Sequence, residues 1–183
     1  MFPEADQWDW RKMSDDVSRA TKAALKTKLS DPARISIMGQ SLGAQLALSG
    51  AVHEPDLYAC VVGMDGFYDW SQVMRALQYD VLSNAAFSRL AFKMGPEKQD
   101  PEKFRQQSPI NFVDQMKAPM LVTQGRDNPE ITRLEARRLI GALNKANVEN
   151  DSIFTDYQGW CGFDLENRLK VYERIESFLA EHL

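Results

Sequence analysis

The sequence predicts an α/β fold built on a mostly parallel sheet of about four strands, with helices on both faces. Two observations carry this. Short β-branched or apolar runs alternate with segments of helical period, and Gly, Pro, Asp or Ser residues stand between them. Met13 to Lys28 is the first predicted helix, because Val17, Ala20, Thr21 and Ala24 share one face at i, i+3, i+4 and i+7. Ser14 and the two aspartates after it suit its first turn, and Ser30-Asp31-Pro32 stops it. Arg34 to Met38 reads as a strand and Ala44 to Val52 as a helix. Tyr58 to Met64 is a second buried strand. Trp70 to Met94 is read as helical, and Gly95 to Pro109 as a polar excursion. Met120 to Gln124 is the third strand. Ala136, Leu139, Ile140 and Leu143 mark a helix, and Asn150 to Tyr157 is the fourth strand. Val171, Ile175, Phe178 and Leu179 mark the last helix.

The 183 residues are read as one domain, long enough to bury a core. The net charge is −4 without a block of like charges, so the electrostatic footprint of nucleic-acid binding is missing. No apolar run is long enough to cross a bilayer. The N-terminus lacks a basic region followed by an apolar stretch, and the expected compartment is cytoplasmic. Cys60 and Cys161 form no disulfide framework. With two scattered histidines, two distant cysteines and no Gly-rich phosphate loop, neither a metal nor a cofactor is expected.

One motif carries chemistry. Gly39-Gln40-Ser41-Leu42-Gly43 lies between a predicted strand and a predicted helix. That is the context a nucleophile elbow requires. In such a turn the serine sits where side chains two residues to either side would collide, which explains glycines at 39 and 43. Its hydroxyl would stand at a helix N-terminus, where developing negative charge is favoured. The Leu42 backbone N–H would be one oxyanion donor. The alternative is a glycine-rich turn with an incidental serine.

The run from Asp31 to Gly43, Asp-Pro-Ala-Arg-Ile-Ser-Ile-Met-Gly-Gln-Ser-Leu-Gly, resembles the elbow region of prolyl oligopeptidase-type enzymes, including acylaminoacyl peptidases and dipeptidyl aminopeptidases. Their usual form has Tyr at the place of Leu42 and Gly at that of Ala44. Pro55-Asp56-Leu57-Tyr58, Ser108-Pro109-Ile110-Asn111, Lys117 to Val122 and the closing segment from Glu173 resemble the same family in order. The resemblance implies the C-terminal half of an α/β-hydrolase domain, entered at the helix before the elbow. It also implies a nucleophile at Ser41, an acid at 128 and a base at 160 or 161, acting on a peptide or small ester. Asn128 occupies the acid position, with Asp127 one residue early. Trp160 or Cys161 occupies the base position. His53 and His182 are poor substitutes by their places in the chain. Cys161 as a replacement nucleophile lacks an evident cationic neighbour, and Cys60 lies within a strand.

In the resembled family the elbow strand is interior. Here strand 34–38 is the first in the chain, so one edge is expected to be open. A second copy or a separate subunit pairing across it is the expectation, with a rearranged N-terminus carrying Phe2, Trp8 and Trp10 as the alternative. Phe67, Tyr68 and Trp70 either line a substrate pocket beyond the second strand or pack against the following helix. The charged residues from Glu130 to Arg138 read as a solvated helix face. Three functional readings remain: an impaired or inactive family member kept for binding or assembly, a hydrolase completed in trans, and a piece without function of its own.

Overall fold

A computed structural model describes residues 9–79, 92–125, 133–156 and 165–183. Its centre is a four-stranded sheet, β1 (Ser36–Gln40), β2 (Cys60–Met64), β3 (Met120–Gly125) and β4 (Asn150–Thr155), paired in that order. All three pairings are parallel, with Ser36 opposite Cys60, Val61 opposite Met120 and Met120 opposite Asn150. The helices are α1 (Trp10–Lys26), α2 (Leu42–His53), α3 (Trp70–Tyr79), α4 (Pro101–Gln107), α5 (Arg133–Lys145) and α6 (Leu165–His182), with a 3-10 helix over Pro109–Gln115. This is the predicted α/β architecture.

Side-chain alternation along the strands assigns the two faces. Ile37, Val61, Met120 and Val122 join one core with Leu48 and Val52 of α2 and with Leu139 and Leu143 of α5. Cys60, Val62 and Leu121 point the other way, onto Val171, Ile175 and Phe178 of α6. Burial pushes the Cys60 thiol up from its ordinary pKa. Arg174 of α6 hydrogen-bonds Asp151 of β4 through Nε at 2.7 Å, which fixes that flank of α6 over β4. α2 is buried almost all round, and α1 lies against it. A third cluster stacks Trp10 of α1 on Trp70 of α3, ring centroids 4.8 Å apart, beside Val73, Met94 and Phe104.

Several boundaries move. α1 starts before Met13, because Asp9 caps it and accepts the N–H of Arg11 and Lys12 at 3.1 and 3.3 Å. Ser14 is therefore a buried second-turn residue, and Asp15 pairs with Arg11. β1 runs two residues beyond Met38, since Gly39 and Gln40 stay in register with Gly63 and Met64. The excursion read as polar loop contains α4, opened by the Asp100 side chain on Lys103 N–H at 3.0 Å and anchored by buried Phe104. The predicted 70–94 helix is described only as far as Tyr79, apart from its last residues.

β1 is an edge. Its odd-numbered residues turn their backbone groups to β2, as in Ala59 N–H to Ile35 carbonyl at 2.7 Å and Ser41 N–H to Met64 carbonyl at 2.8 Å. The backbone groups of Ser36, Met38 and Gln40 therefore face outward. Among the described residues no strand pairs with them. Met38 is 51% exposed, although Val62, opposite it in β2, is fully buried.

Candidate active site: the elbow at Ser41

β1 turns into α2 through one residue. Ser41 has φ 58° and ψ −119°, a left-handed backbone that a non-glycine residue adopts at a cost of about 1–3 kcal/mol. Three hydrogen bonds hold it there. Its N–H donates to Met64, and its carbonyl accepts from Ala44 and Gln45 N–H at 3.0 and 3.3 Å. The hydroxyl is buried, the residue is 3% exposed, and Oγ has no partner among the described residues. Leu42 is the first residue of α2, so its N–H belongs to the first turn, where donors lack intrahelical acceptors.

The two elbow glycines differ. A Cβ on Gly39 would lie 2.1 Å from the Gly43 carbonyl oxygen and 2.7 Å from the Ala44 nitrogen, both backbone atoms. A Cβ on Gly43 would meet nothing within 4 Å among the described residues. The expected mutual collision is thus one-sided. The strand must pass under the first turn of α2, and only position 39 carries the constraint.

Beside the elbow, β2 is followed by Asp65, which is buried with φ 47°. Its Oδ1 accepts the Gly125 N–H at 2.9 Å, tying the ends of β2 and β3 together. Sequence reasoning passed over this residue; an acidic residue at a strand end, followed by glycine, was the available signal. The loop then brings Tyr68 back across the sheet. Its ring occupies the space that a Cβ on Gly63 or Gly66 would need. Tyr68 and Trp70 are each 1% exposed. Burial, with the charges of Asp65 and Glu135, pushes the Tyr68 phenol up. Of the two roles open to the three aromatics, Tyr68 and Trp70 are engaged in packing, and only Phe67 keeps part of its surface in water.

Neither histidine stands at the elbow. His53 closes α2 at the end opposite Ser41, with Nδ1 2.8 Å from the Ser49 carbonyl. Burial lowers its pKa, with Arg11 acting in the same direction. His182 sits on Phe178, 3.9 Å from Glu149, at the amino end of the sheet. Glu149, Glu181 and His182 bring three ligand-type atoms within 4.8 Å of one another, on an exposed surface. A cleft of about 650 Å³ lies between the start of α1, His53, α4 and Phe112. Its cations are engaged, Arg105 with Glu102 and Arg11 with Asp15, and Ser41 is not part of it.

The model of the prolyl oligopeptidase family matches residues 6–183. The chain belongs to the prolyl oligopeptidase family. Dipeptidyl aminopeptidase BIII of Pseudoxanthomonas mexicana is 28% identical over 186 residues, which takes in 100% of this chain and 27% of that protein. The fold superposes on a Mycobacterium tuberculosis puromycin-hydrolyzing peptidase with a TM-score of 0.83 at 20% identity, over 93% of this chain and 25% of that one. A Pyrococcus horikoshii acylaminoacyl peptidase gives 0.76 at 18% identity, over 93% and 27%. At such identities the superpositions show a shared fold. The chain spans about a quarter of the length of the relatives it matches. In this prolyl oligopeptidase-family chain, Asp127 and Asn128 of the acid segment and Trp160 and Cys161 of the base segment lie outside the described residues.

Proposed function

We propose that Ser41 occupies the nucleophile position of a serine hydrolase of peptidase type, and that this chain alone is inactive or strongly impaired. The observation that carries the reading is the Ser41 backbone: a strained, left-handed residue at a strand-to-helix turn, with its hydroxyl at the start of α2. Asn128 at the acid position cannot carry the charge that steadies an imidazolium, and neither Trp160 nor Cys161 at the base position supplies an imidazole. A serine hydroxyl without an adjacent base is a poor nucleophile. Peptides or small esters are the substrate class that the family suggests.

A fluorophosphonate probe tests this. Wild type should react at least about 10³-fold more slowly than an intact serine hydrolase, because triad loss costs orders of magnitude. Rapid, stoichiometric labelling that disappears in Ser41→Ala would show a working nucleophile and sink the impaired reading.

The edge of β1, which no strand among the described residues pairs with, and the exposed Met38 favour a second reading, in which another chain across strand 34–38 completes the site or uses this chain as a binding subunit. Sedimentation velocity at micromolar concentration should then show an association that weakens when Met38 is changed to Lys. A monodisperse monomer at every concentration overturns it.

A further inference from the structure

Two carboxylates and an imidazole converge at the amino end of the sheet. Glu149 stands at the entry to β4, where its carbonyl accepts the Met120 N–H at 3.0 Å and so fixes its backbone to the start of β3. Glu181 and His182 close α6. The Glu149 and Glu181 carboxylates and the His182 imidazole bring three ligand-type atoms within 4.8 Å of one another. The imidazole is the fixed member. It lies on Phe178, with ring centroids 4.5 Å apart, and its side chain is 15% exposed. Both glutamates are exposed, so their carboxylates are free to adjust.

We propose that Glu149, Glu181 and His182 form a binding site for a divalent transition-metal ion of the zinc type, which would tie the end of α6 to the start of β3 and β4. The site lies at the end of the sheet opposite Ser41 and does not rest on the reading of the elbow.

Two observations point to a bound cation rather than an ordinary ion pair. The first is charge. The other acids around α6 meet lysine or arginine, Glu166 with Lys170 and Asp151 with Arg174. Among the described residues, neither Glu149 nor Glu181 has such a partner. A protonated His182 would offset one carboxylate and leave the second beside a like charge. The second observation is spacing. His182 Nε2 stands 3.9 Å from Glu149 Oε1, too far for a hydrogen bond. Metal bonds of about 2.0–2.2 Å place the donor atoms around one tetrahedral ion about 3.4 Å apart. Small rotations of the exposed glutamates close the difference. The donor set selects the metal. An imidazole nitrogen with carboxylate oxygens suits zinc and its first-row neighbours. Calcium takes about six to eight oxygens, and magnesium keeps several of its waters. Three protein donors leave a fourth position for water.

Isothermal titration calorimetry of the untagged full chain with zinc chloride tests this. One zinc ion should bind per chain with a micromolar dissociation constant, and magnesium chloride should give no comparable signal. His182→Ala should abolish the binding. Glu149→Gln and Glu181→Gln should each weaken it by about tenfold or more, at least as much as losing a group that supports a ligand. His53→Ala and Cys161→Ser should leave it unchanged, which separates this site from the other histidine and from thiol ligation. Zinc should raise the melting temperature of wild type and not that of His182→Ala, because an ion bound only to the folded chain stabilises it. Should His182→Ala fail to fold, the two glutamine variants, both at exposed positions, still decide the matter. Absence of saturable binding at micromolar zinc overturns the proposal. So does binding that survives His182→Ala, or that matches wild type in both glutamine variants, since either result means an adventitious ion only.

Discussion

Gly39→Ala is expected to destabilise the native fold severely, while Gly43→Ala leaves it intact or slightly improves it. The alanine methyl at 39 has nowhere to go. It would sit 2.1 Å from the Gly43 oxygen and 2.2 Å from the Gly43 carbon, and neither atom is the tip of a flexible side chain. Relief requires moving the first turn of α2, which is buried against Ile37 and Val61 and hydrogen-bonded at Ser41. Overpacking of this kind exceeds the usual 1–3 kcal/mol range when backbone must move, and about 4 kcal/mol is a fair expectation. At 43 the methyl meets open space, and alanine is the better helix former by about 1 kcal/mol. Thermal unfolding followed by circular dichroism should separate the two variants by many degrees. Equal melting temperatures would mean that the strand does not pass under α2 as described.

Trp70→Ala should be the costliest truncation outside the sheet, at about 3–5 kcal/mol. Trp70 is the keystone of the third cluster. It stacks on Trp10 with planes 17° apart, lies 6.2 Å from Phe67, and shares its surroundings with Met94 and Phe104. Removing the indole detaches α1 from α3 and α4 together. Trp70→Phe should lose much less, because it keeps most of the apolar contact and deletes an indole N–H that is buried without a partner among the described residues. Denaturant titration gives both values. A loss below about 1 kcal/mol for the alanine variant would show that the cluster carries little of the stability.

The parallel sheet was legible in the chain because each strand is a short apolar run set between turn residues. The elbow was legible because its glycines, serine and flanking elements coincide. Other features escaped for local reasons. α4 has seven residues, too few for a period to declare itself, and its anchors are a single phenylalanine and an aspartate cap. Glu135 looks like its charged neighbours in the sequence, yet it is buried at the start of α5. Tyr68 and Trp70 suit a pocket wall and a core equally well by composition. Packing assigned them to the core. Gly39 looked like the beginning of the turn, but its register with Gly63 keeps it in the strand.

The segment between β2 and β3 has a bearing on how the chain assembles. β1 reaches β2, and β3 reaches β4, through a single short crossover each. Pairing Val61 with Met120 closes a much longer stretch. Closure entropy rises with the logarithm of loop length, so this pairing is the most demanding of the three in chain freedom. Two hydrogen bonds cut the distance. Trp70 N–H meets Ser108 Oγ at 2.9 Å, and Ile110 N–H meets the Tyr68 carbonyl at 3.3 Å. They act as a clasp, gathering residues 71–107 into a side loop. Once the clasp is fastened, the two halves of the sheet are separated by only a few residues of free chain on either side.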